Sequence, residues 1–537
     1  MKIRFLLQII PGILGLLFSG MAVADASTVK LVNLLVQEGV LSKEKAEILL
    51  KQVAEDAAPK ANDAEPKAAV AKAEAEAEVA KAGGESGGEG NGKGKVIRMQ
   101  YVPEFVKQEI RDGVRKDMLA HAQPAQWGDH KAPPSWLDRF TWSGDVRLRL
   151  DNDFFSDTNA PVGVFRLAGV EVTNTTVDRL RWRVRGRLNL DVKIADHFTA
   201  GVRLATYGDS GNPVSANQTL GDSDRAFAAF FDRVYISYKP YDWLLFSGGK
   251  VANPFFRTDM VWDPDLNLDG IMASAKPKIN DSWLVFGTVG MFPIQEIELS
   301  KNDKWLFGGQ GGVEWRSASQ SKFTLAAAYY HYENMVGKIG PLNGDVNLNT
   351  TAVQWRQKGN TLIQLNNPPV AGLDAGGVYG LASEFHELNL TAQIDLATFN
   401  PVHVRLMGDY AQNLAFDPAK MKQRGAHLIG TEGNKAYQVR LDIGTAMLQD
   451  MGQLLAAKRH DWLLFGAFKR MESDSILDGF NDSEFRVGGT NAQGWIGGAA
   501  YAVANNVWIT GRWLSANQII GPKLAIDVLQ VDLTARF

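Results

Sequence analysis

The chain has 537 residues, with 57 Lys and Arg against 60 Asp and Glu, a formal net charge of −3 and no cysteine. This near-neutral balance carries no electrostatic footprint for nucleic acid, and the lack of Cys removes the disulfide framework of a small exported fold. Hydrophobic residues make up 45% of the chain, yet beyond residue 24 no apolar run is long enough to cross a bilayer as a helix, which excludes a helical membrane protein.

Residues 1–24 read as a removable export signal. Lys2 and Arg4 precede an apolar stretch over residues 5–18, and Ala22-Val23-Ala24 supplies the small-x-small pattern, so cleavage is expected between Ala24 and Asp25. No Cys stands at that junction, so no lipid anchor is expected. Residues 25–57 predict a helical hairpin: Leu31, Leu34 and Leu35 stripe one helix, Gly39 marks a turn, and Ser42 caps a second helix carrying Ala46, Leu49, Leu50 and Val53. Such a piece is too small for a core, so it self-associates, docks on a periplasmic partner or stays loosely ordered. Residues 58–97, an Ala/Lys/Glu tract turning Gly-rich, read as a low-complexity linker. Residues 98–135 predict a periplasmic helix and connector, with Pro103 at a first helical position and Val106, Ile110, Val114 and Met118 recurring every fourth residue. That narrow stripe fits either a coiled-coil oligomer seam or a helix lying on a barrel mouth, and Gly113 weakens it.

Residues 136–537 predict an all-β fold: a transmembrane antiparallel β-barrel of about 16 strands, to which the N-terminal helices form a short extension. Segments of strand character begin near Ser143 and end at the C-terminus. Connections after even-numbered segments are mostly short, as at 195–197, 241–242 and 505–506, while the others are mostly long, which is the rhythm of periplasmic turns and outer loops. The linker 446–460 breaks that rhythm, being long and helix-like through Met447, Leu448, Met451, Leu454 and Leu455. Trp142, Phe198, Tyr238, Trp243, Trp283, Trp315, Phe323, Phe399 and Trp462 suit interfacial girdles. The segments starting at Trp243, Trp283 and Trp462 are apolar on both faces, so one face packs against a helix, a loop or a neighbouring barrel; with the 103–122 helix they suggest a homotrimer.

In the second segment, Arg179, Arg181, Arg183, Arg185 and Arg187 alternate with Leu180, Trp182, Val184, Gly186 and Leu188. Each Arg would cost about 2–4 kcal/mol at mid-depth in lipid, so this face must look into the lumen. The same parity adds Arg147 and Arg149 from the first segment and Arg203 from the third as pore-lining candidates. Two readings stand: an electrostatic filter for anions, or a solvated wall neutralised by Asp151, Asp153 and Asp191. The following candidate is the aromatic and acidic loop 253–267. Folded inward, it would set Arg257, Asp259, Asp263 and Asp265 at a constriction against the arginine wall; otherwise it is a compact surface loop. At the end of the chain Val531, Leu533, Ala535 and Phe537 alternate with Asp532, Thr534 and Arg536, as in a closing barrel strand. The terminal Phe537 resembles the sorting signal read by the barrel-assembly machinery, and outer-membrane lipid would be the other partner.

The chain resembles the family of putative porins of Gram-negative bacteria through residues 34–41 (Leu34-Leu35-Val36-Gln37-Glu38-Gly39-Val40-Leu41), 101–104, 136–145 (Trp136 to Asp145), Asn253-Pro254-Phe255 with Trp262-Asp263, and the closing strand. The resemblance implies an outer-membrane porin that passively admits small hydrophilic solutes. An outer-membrane enzyme is the first rival, but the eight His show no nucleophile-base spacing, and no metal-ligand or phosphate-loop spacing points to a cofactor. A plugged 22-stranded receptor fails on size. A structural tether, with residues 25–130 gripping a periplasmic partner and the barrel as its anchor, is the remaining alternative.

Overall fold

The computed structural model describes residues 137–167, 172–207, 212–298, 301–338, 355–365, 379–428, 430, 432–450, 453–454 and 457–537. The expected signal peptide with its Ala24–Asp25 junction, the hairpin, the linker and the periplasmic helix lie outside these residues.

Sixteen long strands form one sheet: β1 (Phe140–Phe155), β2 (Arg179–Ala195), β3 (Phe198–Tyr207), β4 (Ala228–Tyr241), β5 (Leu244–Ala252), β6 (Asn267–Ala275), β7 (Trp283–Gln295), β8 (Lys304–Arg316), β9 (Lys322–Glu333), β10 (His386–Phe399), β11 (Val402–Asn413), β12 (Lys435–Gly444), β13 (Trp462–Met471), β14 (Ala492–Ala504), β15 (Val507–Gln518) and β16 (Ala525–Arg536). Each pairs antiparallel with its neighbours in sequence, and β1 pairs with β16, so the sheet closes into a barrel with no free edge. Phe537 completes the seam: its N–H donates to Gly144 O at 3.0 Å and Gly144 N–H returns a bond to Phe537 O at 2.8 Å.

Alternation explains the closure. In β1, Val146 and Leu148 are exposed on the outer wall while Asp145, Arg147, Arg149, Asp151 and Asp153 are buried inside. In β2 Leu180, Trp182 and Leu188 are exposed on the outer wall, and Arg185 and Arg187 are buried. A one-residue slip would turn either polar row into lipid. Exposed aromatics cluster beside the short turns, where Trp142, Phe198, Tyr241, Trp243, Trp283 and Phe399 sit.

The linker between β12 and β13 departs from its helical expectation. Leu448–Asp450 pairs with Gln453–Leu454 as a small hairpin. The apolar spacing there is compatible with both periods over so short a run, and the strand ends on either side hold the chain extended. Ala446, Met447 and Ala457 join the same buried cluster as Leu463 and Phe465, so the inner apolar face at the start of β13 belongs to the barrel's own core.

Two glycines bend the short strands that carry the central loop. Gly249 (φ 113°) and Gly270 (φ 143°) are register partners across β5 and β6. A Cβ at Gly270 would lie 2.2 Å from Met291 O and one at Gly249 2.3 Å from Val234 O, so only glycine fits either place.

The core lies within the barrel. Phe255, Met260, Trp262, Phe292, Tyr330, Leu477 and Phe485 form one buried cluster, built largely from loops 253–266 and 472–491 folded into the lumen. Phe255 meets Tyr330 edge to face at 5.0 Å, and Trp262 meets the same ring at 5.0 Å.

Candidate functional site

The wall formed by β1 and β2 has a charge pattern set by its register. Arg147 stands opposite Arg185 and Arg149 opposite Arg183, while Asp145, Asp151 and Asp153 face Arg187, Arg181 and Arg179. Like charges directly opposite each other are destabilising, so the four central arginines need carboxylates from elsewhere.

Arg149 and Arg185 find them on β16 and on loops 472–491 and 253–266. Arg149 donates from Nε and Nη2 to Asp532 of β16 at 2.6 and 2.8 Å, and from Nη1 to Glu484 of loop 472–491 at 2.7 Å. Arg185 reaches Asp145 at 3.0 Å and Asp265 of loop 253–266 at 3.1 Å. Arg187 reaches the same two at 2.7 and 3.2 Å. Arg147 donates to Asn217 Oδ1 at 2.5 Å. Nearer the long loops, Arg181 bridges Asp151 and Asp153 at 2.7 and 2.8 Å, and Arg183 makes two longer bonds of 3.3 Å to Asp151 and Ser215. Arg203 pairs with Asp232, and Arg179 is exposed at the loop end of its strand. Asp191, expected among the neutralising acids, instead accepts from Tyr235 Oη at 2.6 Å.

Loop 253–266 lies inside the barrel, tied to several strands. Phe256 exchanges two 2.7 Å hydrogen bonds with Gln310 of β8, and Thr258 donates to Asp409 of β11. Asp259 accepts from Gln438 of β12 at 2.9 Å and from Lys469 of β13 at 2.7 Å, while Asp265 meets the arginine wall. The loop therefore runs across the lumen from β2 to β13. Lys469 is fully buried and also donates to Asp482 at 2.7 Å, which couples this loop to loop 472–491. Asp263 adds a second tie, accepting from Ser483 N–H at 3.0 Å while its own N–H donates to Phe480 O at 2.8 Å. Arg257 is half-buried and donates to Asn253 O at 3.4 Å.

The loop acids fall into two electrostatic groups. Burial works against ionised Asp265, but Arg185 and Arg187 outweigh it and hold the carboxyl below its usual range. Glu484 is held well below by the arginines Arg149 and Arg183, again against its burial. Asp263 goes the other way: burial, then the neighbouring Asp265 and Asp482 carboxylates, push it well above. Burial also lifts Asp474 and Asp478, each to about 6.

Cavities flank the central loop on both sides. One of 530 Å³ opens toward the short-turn end and is lined by Arg187, Arg203, Arg233, Arg257, Arg405, Arg440 and Arg536 against Asp145, Asp191 and Asp259. Asp232, Asp395 and Asp442 pair with Arg203, Arg405 and Arg440 without lining that cavity. The other, of 390 Å³, opens toward the long loops and is lined by Arg179, Arg181, Arg183, Arg356 and Lys358 against Asp153 and Glu484. The layer a solute would meet is basic in both.

Sequence reasoning missed Lys469, Asp482, Glu484 and Asp145; it set Asp532 on the inner row of the closing strand but not against Arg149. Strand parity alone places Asp145 and Asp532 inside. The acids of loop 472–491 carried a legible signal, a row of Asp and Glu on a loop facing an arginine wall, but nothing in the sequence ties Lys469 to both loops.

An outward apolar band, an inward polar wall and loops folded into the lumen define an outer-membrane channel of the porin class. The chain matches the family described as "Putative porin" over residues 25–537, and it belongs to that family, whose members are channels rather than enzymes. Among solved structures it is similar to Pseudomonas putida OprB, with 12% identity, 76% of this chain and 97% of that one covered, and a TM-score of 0.43. It is also similar to the outer-membrane channel DcaP of Acinetobacter baumannii, with 9% identity, 74% and 97% coverage and a TM-score of 0.39. Salmonella typhi OmpF shows 10% identity, 74% and 97% coverage and a TM-score of 0.35. No curated protein sequence matches the chain.

Proposed function

We propose that this outer-membrane porin admits small hydrophilic solutes passively and favours anions, with Arg179, Arg181, Arg183, Arg187 and Arg203 lining the path, Arg147, Arg149 and Arg185 buried behind it, and loop 253–266 narrowing it. The observation that carries the anion preference is the basic lining of the cavities on both sides of that loop. The arginine ladder by itself is largely compensated by Asp145, Asp151, Asp153, Asp265, Glu484 and Asp532, so its pairing fixes the loops as much as it sets a field.

Planar-bilayer recording under a salt gradient tests this. Stepwise conductance with an anion-favouring reversal potential is expected, and Arg257→Glu, at a residue that lines the short-turn cavity and carries no ion pair to a strand, should move the potential toward cations. A cation-favouring potential in the unmodified protein would overturn the preference.

A further inference from the structure

We propose that the cavity on the long-loop side is a binding site for small organic monoanions with an apolar body, such as an aromatic carboxylate. This deepens the anion reading above and rests on it. The cavity holds 390 Å³, within the range of small-molecule sites, and its walls differ in chemistry.

One wall is basic. Arg181 and Arg183 from β2 face it with Lys358. Beside the Glu484 carboxylate, Arg183 makes two hydrogen bonds, both long at 3.3 Å, and the Nε–H groups of Arg181 and Arg183 are buried without an acceptor. A bound carboxylate satisfies such donors directly and in a planar geometry that matches guanidinium.

The other wall is apolar where a lumen wall is expected to be polar. The inner face of β16 carries Gln530, Asp532 and Thr534 toward the short-turn end, then changes to Val528 and Ile526, with Leu524 just beyond the strand. Phe155 at the end of β1 continues that surface. A water-filled passage for inorganic ions gains nothing from such a patch, whereas the hydrocarbon part of an organic anion is stabilised there. Asp153 and Glu484 at the rim of the basic wall disfavour a second negative charge on the ligand, which restricts the class to monoanions.

The test is calorimetric titration of the purified full-length protein in detergent with benzoate, acetate and benzyl alcohol. Benzoate is expected to bind at least tenfold more tightly than acetate or benzyl alcohol. Arg183→Gln should weaken benzoate at least tenfold, and Ile526→Thr should weaken benzoate while leaving acetate unchanged. Should Arg183→Gln fail to fold, Lys358→Gln on the loop reads the same wall. Equal affinities for benzoate and acetate, or variants that bind as the parent does, overturn the proposal. Because titration needs no current, benzoate binding by a pore without anion preference sinks only the selectivity reading, and an anion-selective pore indifferent to benzoate sinks only this one.

Discussion

Lys469→Met should unfasten the central loop without unfolding the barrel. Lys469 forms ion pairs with both Asp259 and Asp482, at 2.7 Å each, and it is fully buried. Methionine keeps the length and apolar stem of the side chain but leaves two buried carboxylates without their cation. Removing one partner of a buried ion pair costs about 3–5 kcal/mol. At about 1.4 kcal/mol per power of ten, detachment of loops 253–266 and 472–491 becomes roughly a hundred to a few thousand times more frequent. The sixteen-strand ladder does not depend on this contact, so the protein should still insert. Single-channel recording then shows larger and noisier openings than the parent, with flicker on the timescale of loop motion. The flicker should lessen in acid, since protonation relieves the exposed pair of carboxylates. A folded variant with the parent's conductance and noise would refute the pinning role of Lys469 and the coupling of the two loops through it.

Acidification should also act on the parent. Asp474 and Asp478 lie in loop 472–491 and hold the 355–365 segment: Thr361 N–H and Oγ1 donate to Asp474 at 2.9 and 2.7 Å, and Asn360 N–H donates to Asp478 at 3.3 Å. Their carboxyls are raised to about 6 in the folded loops, so the cost of burying their charge is present above that pH and disappears as pH falls toward the usual carboxylate value of 3.8. The loops should therefore pack more firmly, and conductance should fall, between pH 7 and pH 4; Asp478→Asn should blunt that fall, and an unchanged pH profile in the variant would refute it. Gly270→Ala forces a Cβ against Met291 O and a positive φ on alanine, so about 1–3 kcal/mol of backbone strain plus the clash should lower the yield of heat-modifiable barrel on gels. Leu148→Arg places a charge on the lipid face of β1 and should destabilise refolding into vesicles by about 2–4 kcal/mol, measured by urea titration, whereas Leu148→Val should stay near the parent.

Strand parity made most of the barrel readable from the sequence. The period-2 rows in β1, β2 and β16 carry both the fold and the inward arginines, because lipid on one side and polar lumen on the other leave a single assignment of faces. The hairpin at 448–454 was misread because seven residues do not separate a helical from an extended apolar period. The burial of loop 253–266 was readable only as one of two options. Its acids invite the arginine wall, but the ties that settle its path, Gln310, Asp409, Gln438 and Lys469, come from four strands whose proximity is a tertiary fact. The apolar turn in β16's inner face was visible as Ile526 and Val528, yet alternation alone made them look like ordinary strand residues.

The seam between the first and last strands does more than shut the cylinder. Arg149 and Asp532 are 383 positions apart and meet only when the final strand has arrived. Shifting β16 by one residue turns Asp532 outward into hydrocarbon. Shifting it by two restores the faces but brings Asp532 opposite Asp151 in one direction or opposite Arg147 in the other, and either way takes it from Arg149. The chain thus carries an electrostatic checksum on its own closure, read once, at the end of assembly.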